Sequence, residues 1–253
     1  MVAEILRRKR EIIERLKERR GIKQAISEAR AAGKNPVITE VKRKGLKEGE
    51  QALNVDPVAT AKQMAAGGAC AISVLTEAAF SGSLRDLRDV KLSVALPVLR
   101  KDFIFDEFQV LESYVHGANA ILLIARFISA SKLNELIRKA ASLDMEALVE
   151  IDRVSKDMIL DMDFTTASTT LIGINNRDLD TLEVDVATFV QIAPEIKLKI
   201  PANVPLVAMS GITSKEEARR MFDAGADALL AGTSVMRADE IERKVMDFVS
   251  VQV

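Results

Sequence analysis

Three short apolar runs in this chain open on proline and end on a residue of a different kind. They are Pro36-Val37-Ile38-Thr39-Glu40, Pro97-Val98-Leu99-Arg100-Lys101 and Pro205-Leu206-Val207-Ala208-Met209. Proline has no N–H to give a ladder, so in a sheet it suits the first position of a strand. Four residues later, two of the three runs deliver a charge where a buried strand should end. Burying an unpaired charge is costly, so a strand tip that carries one needs a partner or a task. A second motif alternates with the first: Gly68-Ala69-Cys70-Ala71-Ile72, Gly117-Ala118-Asn119-Ala120-Ile121 and Gly225-Ala226-Asp227-Ala228-Leu229. Each reads as a helix-ending glycine, small residues, then a strand. The proline-led strands count as the first, third and seventh, and the glycine-led ones as the second, fourth and eighth. Alternation with strand parity suggests a repeated pair of βα units.

The rest of the chain fits that frame. Apolar spacing predicts a helix over 1–20, with Ile5, Leu6, Ile12, Ile13 and Leu16 on one stripe, and a second over 23–32. Strands are expected at 37–41, 71–75, 97–100, 120–125, 146–151, 170–175, 206–209 and 228–231. Asp56-Pro57 caps and opens the helix after strand one. Further helices are expected at 84–92, from Asp106 to Gly117 with Phe108, Leu111 and Val115 inward, at 131–143, 154–162 and 186–193, from Ser214 through a capping box with Glu217, and at 238–248. A charged loop, 43–50, follows strand one.

Eight strands alternating with helices imply parallel pairing, and 253 residues is the usual size of a (β/α)8 TIM barrel. The expected architecture is one barrel domain over 1–253, of which 1–34 is an N-terminal helical extension, with no further enzyme after it. A doubly wound sheet is the alternative, but no G-x-G-x-x-G follows the first strand. The 36 basic and 37 acidic residues nearly cancel, which argues against nucleic acid or an anionic membrane as partner. One cysteine fits a reducing compartment. No apolar run reaches membrane-spanning length, and the start, basic but carrying Glu4, Glu11, Glu14 and Glu18 and lacking an apolar h-region, is not expected to be a signal peptide. A cytoplasmic monomer is expected.

Barrel active sites lie at the C-terminal ends of the strands. The charged or polar residues expected there are Glu40 and Lys42, which share one side of strand one, then Lys101, Glu150, Asn175 and Arg177. A single strand-end charge is as readily a rim salt bridge as a working group. Five converging charges are harder to explain structurally. Ser210-Gly211 and Gly232-Thr233 leave strands seven and eight, where barrels commonly hold phosphate on backbone N–H groups. No metal site is expected: the lone His116 reads as a helix C-cap and the lone Cys70 as a buried filler. The 7–10 basic run reads as a solvated helix face.

In those positions the chain resembles the indole-3-glycerol-phosphate synthases over about 35–246. The residues that carry the resemblance are Glu40-Val41-Lys42-Arg43, Ser73-Val74-Leu75-Thr76-Glu77, Phe80-Ser81-Gly82-Ser83, Leu99-Arg100-Lys101-Asp102-Phe103-Ile104, Val149-Glu150-Ile151, Ile172-Gly173-Ile174-Asn175-Asn176-Arg177-Asp178-Leu179, Ser210-Gly211-Ile212 and Gly232-Thr233-Ser234-Val235-Met236. The resemblance implies closure of a phosphorylated anthranilate-ribulose adduct to an indole, with loss of CO₂ and water and without a cofactor. It implies Lys101 as general acid, Glu150 as acid/base partner, Lys42 as second acid or anion holder, Glu40 as the group that orients the lysines, and Asn175 as a positioning group. Phe80, Arg177, Leu179, Ser210 and Lys44 are then substrate contacts, and Gly211, Gly232 and Thr233 phosphate contacts. Gly45-Leu46 replaces the family's usual Ser-Pro, and Met209 its usual glutamate; a looser loop and less firmly held lysines are expected. Rival readings are a neighbouring phosphate barrel, phosphoribosylanthranilate isomerase or the tryptophan synthase α subunit, and a barrel that binds a sugar phosphate without catalysis.

Overall fold

The structure, a computed structural model, describes residues 1–44 and 55–252. Gly45, Leu46 and most of the expected 43–50 loop lie outside the described residues. Eight parallel strands close into a barrel in chain order. They are β1 (Val37–Val41), β2 (Ala71–Leu75), β3 (Val98–Lys101), β4 (Ala120–Ile124), β5 (Glu146–Ile151), β6 (Thr170–Asn175), β7 (Leu206–Met209) and β8 (Ala228–Ala231). The helices are α1 (Val2–Lys17), α2 (Ile22–Ala31), α3 (Pro57–Ala66), α4 (Leu84–Ser93), α5 (Glu107–Val115), α6 (Ala130–Ala141), α7 (Ala187–Lys199), α8 (Lys215–Asp223), α9 (Thr233–Met236) and α10 (Ile241–Val249).

The two sequence motifs are one repeated junction. Gly68, Gly117 and Gly225 follow α3, α5 and α8 with φ of +94°, +86° and +97°, a conformation that favours glycine. In each case the next N–H returns to the carbonyl five residues earlier: Ala69 to Met64, Ala118 to Ser113, Ala226 to Met221. This closes the helix end. The N–H after that reaches the first residue of a proline-led strand: Cys70 to Val37, Asn119 to Val98, Asp227 to Leu206. The proline carbonyls accept in turn from Leu229, Ile72 and Ile172. A residue without a donor thus starts each strand while its acceptor is still used. The repeat fixes where each strand begins, and so where it ends.

Alternate residues point inward. Ile38, Leu99, Leu122, Leu148, Leu171 and Val207 form the inner cluster. Their neighbours Val37, Ile72, Val98, Ile121, Val149 and Ile172 pack under the helices. Both faces of every strand are buried, as parallel sheets require.

α2 closes the N-terminal end of the barrel, because its Ile22, Ala25 and Ile26 belong to the inner cluster. Its own N-cap, Gly21, has no side chain to accept the free N–H groups. Glu146, the first residue of β5, supplies that acceptor from inside the barrel: Oε2 accepts from the Ile22 N–H at 2.5 Å. A side chain at Gly21 would collide with this carboxylate. Burial pushes the Glu146 carboxyl up to about 7, against the Ile22 and Lys23 N–H groups, which lower it. Its folded pKa exceeds the ordinary 4.5, so its stabilising share is complete below about pH 4.5 and is lost as the pH rises through 7. At about 1.4 kcal/mol per unit, this share is of the order of 3 kcal/mol. The urea stability of wild type should therefore fall relative to Glu146→Gln between about pH 5 and pH 8. A difference that stays constant over that range would contradict this role.

Two expectations are corrected, on α5 and over 154–162. The α1 stripe is not buried: Ile5, Leu6, Ile12 and Ile13 are exposed, and only the C-terminal end of the helix is docked. That end is held by Arg15 donating to the Val94 carbonyl at 2.7 Å and by Leu16 lying against Gly117. On α5, Phe108, Leu111 and Val115 face outward, with Phe108 68% exposed. The cause is Arg100, which leaves β3 on the helix side and donates to the Gln109 carbonyl and to Ser113 Oγ. Its pair with Asp102 at 2.9 Å is buried. Satisfying that guanidinium turns the Gln109–Ser113 side of α5 inward and the apolar stripe outward. The expected 154–162 helix is a 3-10 segment, Lys156–Asp161, followed by a second, Phe164–Thr169.

Candidate active site

The C-terminal ends of the strands surround a cavity of about 750 Å³. All thirteen residues expected at the site line it. Glu40, Lys42 and Lys44 come from β1 and its exit, Lys101 from β3 and Glu150 from β5. Asn175, Arg177 and Leu179 come from β6 and the segment after it, and Phe80 from the segment after β2. Ser210 and Gly211 follow β7; Gly232 and Thr233 follow β8.

The charges sit there because each strand ends one inward residue above the apolar layer: Glu40 above Ile38, Lys101 above Leu99, Glu150 above Leu148. Lys42 Nζ donates to Thr233 Oγ1 at 2.7 Å and lies 3.9 Å from Glu40 Oε1. Asn175 Nδ2 donates to Glu150 Oε1 at 2.7 Å, while its Oδ1 accepts from the Arg177 N–H at 2.9 Å. The second oxygens, Glu40 Oε2 and Glu150 Oε2, are buried without a hydrogen-bond partner among the described residues. Orphaned carboxylate oxygens at a cavity floor are what a ligand or a moving proton would satisfy.

Two upward shifts with different causes meet here. Burial pushes the Glu150 carboxyl up; the Lys101 ammonium and the Asn175 amide oppose this and lose. Burial pushes the Lys101 ammonium down; the Glu40 and Glu150 carboxylates outweigh it and hold it above the usual lysine range. A lysine that stays charged beside a carboxyl that gives up its proton reluctantly is an acid–base pair.

Ser210 and Gly211 have φ of +64° and +77°. A side chain at Gly211 would strike Val184 and Val186, so the turn packs directly on the β6 segment. Ser234 Oγ ties this turn to the β8 exit through the Ile212 carbonyl at 2.7 Å. At Gly232 a side chain would strike the Glu40 carboxylate.

Sequence reasoning missed the apolar wall. Phe103 and Phe127 line the cavity with ring centroids 6.2 Å apart. Leu122, Ile124 and Leu230 complete its floor. Phe103 falls inside a quoted motif, but nothing at the β4 exit marked Phe127. Met209 is buried and its sulfur fills the space a side chain at Gly173 would need. The two residues form a matched pair that keeps this part of the floor apolar. Cys70 is buried, and burial pushes its thiol up to about 12, which suits a filler and not a nucleophile. His116 caps α5, its Nδ1 2.8 Å from the Glu112 carbonyl.

Fold and basin together define a (β/α)8 barrel with a charged cavity at its C-terminal mouth. Solved structures share the fold: the tryptophan synthase α subunit of Legionella pneumophila matches with a TM-score of 0.63 at 12% identity, over 90% of this chain and 96% of that one. The 3-hexulose-6-phosphate synthase of Salmonella typhimurium matches with a TM-score of 0.62 at 13% identity, over 84% and 97%. The family model of indole-3-glycerol phosphate synthase matches residues 3–248. Curated relatives of that name are 42% identical in Kineococcus radiotolerans, over 85% of this chain and 76% of the relative, and 39% identical in Streptomyces coelicolor, over 95% and 86%. Another, in Aquifex aeolicus, is 38% identical over 96% and 91%. The chain belongs to the indole-3-glycerol phosphate synthase family, the decarboxylating cyclases of tryptophan synthesis. Among the described residues no helix is long and apolar enough to cross a membrane.

Proposed function

We propose that the cavity cyclises 1-(2-carboxyphenylamino)-1-deoxyribulose 5-phosphate to indole-3-glycerol phosphate, and that Lys101 and Glu150 move its protons. The carboxyl-bearing ring carbon attacks the C2′ carbonyl. Negative charge grows on that oxygen, and the Lys101 ammonium stabilises it and delivers the proton. The new C–C bond leaves an iminium in the ring. The C–CO₂ electron pair flows into it, CO₂ departs and the aromatic ring is restored. The C2′ hydroxyl then leaves as water. Glu150, with its raised pKa, acts as acid and base in this step. Lys42 serves as second acid or anion holder, Glu40 orients the lysines, and Asn175 fixes Glu150.

Binding follows the same division. Phe80 stacks on the aromatic ring, and Arg177, Leu179, Ser210 and Lys44 hold the remainder of the substrate. Gly211, Gly232 and Thr233 take the phosphate. The observation that carries this reading is the pair of orphaned carboxylate oxygens, Glu40 Oε2 and Glu150 Oε2, flanking an ammonium they keep charged. The protein acts alone, as a monomer in the cytoplasm.

The direct test is fluorescence. Mixed with the carboxyphenylamino-deoxyribulose phosphate, the protein should replace anthranilate-type emission with indole emission until substrate is consumed. Saturable quenching without indole emission would reject catalysis and leave a binding barrel.

A further inference from the structure

One arginine outside the cavity joins three of the strand exits. Arg126 follows β4 in a single 3-10 turn, Ala125–Phe127, and does not line the cavity. Its Nη1 donates to Asp152 Oδ2 at 2.5 Å, and its Nη2 pairs with Asp180. Its side chain is only 12% exposed.

The two carboxylates belong to different parts of the mouth. Asp152 leaves β5 two residues after Glu150 and is buried. Its Oδ1 accepts from the Val154 N–H, the Ser155 N–H and the Ser155 hydroxyl at 3.1, 2.8 and 2.7 Å. Burial pushes the Asp152 carboxyl up, but Ser155 and Arg126 hold it below the usual range, so it stays an anion for the arginine. Asp180 lies in the segment after β6. That segment folds back as a hairpin, with a bridge between Arg177 and Val184 and with Arg177 Nη1 on the Leu182 carbonyl at 2.7 Å. Asp178 Oδ1 takes the N–H groups of Asp180 and Thr181 at 2.8 and 3.0 Å and shapes the tip. Arg177, Leu179 and Leu182 of this hairpin form one wall of the cavity.

A guanidinium is a planar fork and can serve two carboxylates at once; an ammonium is a point charge on a flexible stem. We propose that Arg126 is a positioning residue for the reaction, clamping the hairpin that carries Arg177 and Leu179 to the exits of β4 and β5. The clamp sets the distance between the hairpin wall and the Glu150 side of the mouth. The anionic, ring-bearing substrate then meets a wall already in place. This inference rests on the assignment of the mouth as the substrate site.

The test compares Arg126→Met, Arg126→Lys and Asp180→Asn in the full chain, with Glu150→Gln as control, by steady-state indole formation. Asp180 is 69% exposed, so its substitution leaves the fold intact and keeps the test valid if Arg126→Met does not fold. Asp180→Asn removes one arm of the clamp and should raise KM about three- to fivefold with kcat unchanged, the size of one largely exposed ion pair. Arg126→Met removes both arms and should raise KM about tenfold or more. Arg126→Lys should restore part of the loss, since a point charge can hold one carboxylate at a time. Wild-type KM in both Asp180→Asn and Arg126→Met, or in Asp180→Asn when Arg126→Met does not fold, would overturn the clamp. Glu150→Gln separates the two failures. If it loses turnover while the clamp variants match wild type, the inference alone is wrong. If it keeps turnover, the site assignment beneath is wrong.

Discussion

Replacing Lys101 with methionine should lower kcat by about 10³-fold or more, because one side chain supplies both a proton and a charge. A placed general acid contributes about 10²–10⁴-fold, and a buried donor aimed at a developing oxyanion about 10²–10³-fold. The two overlap in one ammonium, so their product is an upper bound. Methionine keeps the length and apolar stem and removes only the charged tip. The carboxylates of Glu40 and Glu150, which hold Lys101 charged, lose their common counter-ion. The Glu150 pKa, which Lys101 now lowers, should rise further, and more of that carboxyl should be protonated at neutral pH. KM should change far less than kcat, because the hairpin wall, the aromatic ring contacts and the glycine turns remain. Lys101→Arg should not rescue turnover, since a guanidinium gives up its proton far less readily and its plane needs more room. Indole emission in stopped flow, with substrate quenching as a separate measure of binding, checks both halves. A variant that turns over within tenfold of wild type would remove Lys101 from the acid's role.

The mouth was legible in the sequence for a plain reason: strand exits carry few constraints except function. Proline at 36, 97 and 205 marks where strands start, and period-two alternation then places Glu40 and Lys101 inside at the tips. The same logic reached Glu150 through Leu148. It failed where the constraint was tertiary. Phe108, Leu111 and Val115 have helical spacing, and periodicity assigns such a stripe to the core. What turned α5 around was a charge on another element, Arg100, whose buried hydrogen bonds outrank an apolar stripe. The exposed α1 stripe shows the same limit, since spacing says that a face is apolar and not what covers it. Phe127 was invisible because it follows an apolar strand into a short turn whose one charge, Arg126, does not line the cavity. Met209 was read as a missing carboxylate; its sulfur against Gly173 makes it also a packing choice. Glu146 shows the converse. It looked like an ordinary strand start, and only the closed barrel brings it under α2 to cap a helix that begins on glycine.

Replacing Glu150 with glutamine should lower kcat by about 10²-fold or more and remove one limb of its pH profile. Glutamine keeps an oxygen for the Asn175 amide, which now bonds Glu150 Oε1 at 2.7 Å, so the local geometry is held while the proton is lost. Lys101 faces this carboxyl from β3, Asn175 from β6, Glu40 from β1 and Asp152 from its own strand exit. Burial raises its pKa most; Lys101 and Asn175 lower it, and the Glu40 and Asp152 charges raise it again. The net shift is upward, so the limb it controls in wild type should lie above the usual carboxylate range. Loss of water is the step that needs this proton carrier, whereas ring closure and loss of CO₂ need Lys101. The variant should therefore release CO₂ in a single turnover before indole appears, with a lag that wild type lacks. Lys101→Met should show neither product. Measuring CO₂ and indole emission on the same mixture decides the order: simultaneous, equally slowed release of both from Glu150→Gln would place the residue before decarboxylation and reverse the division of labour between the two groups.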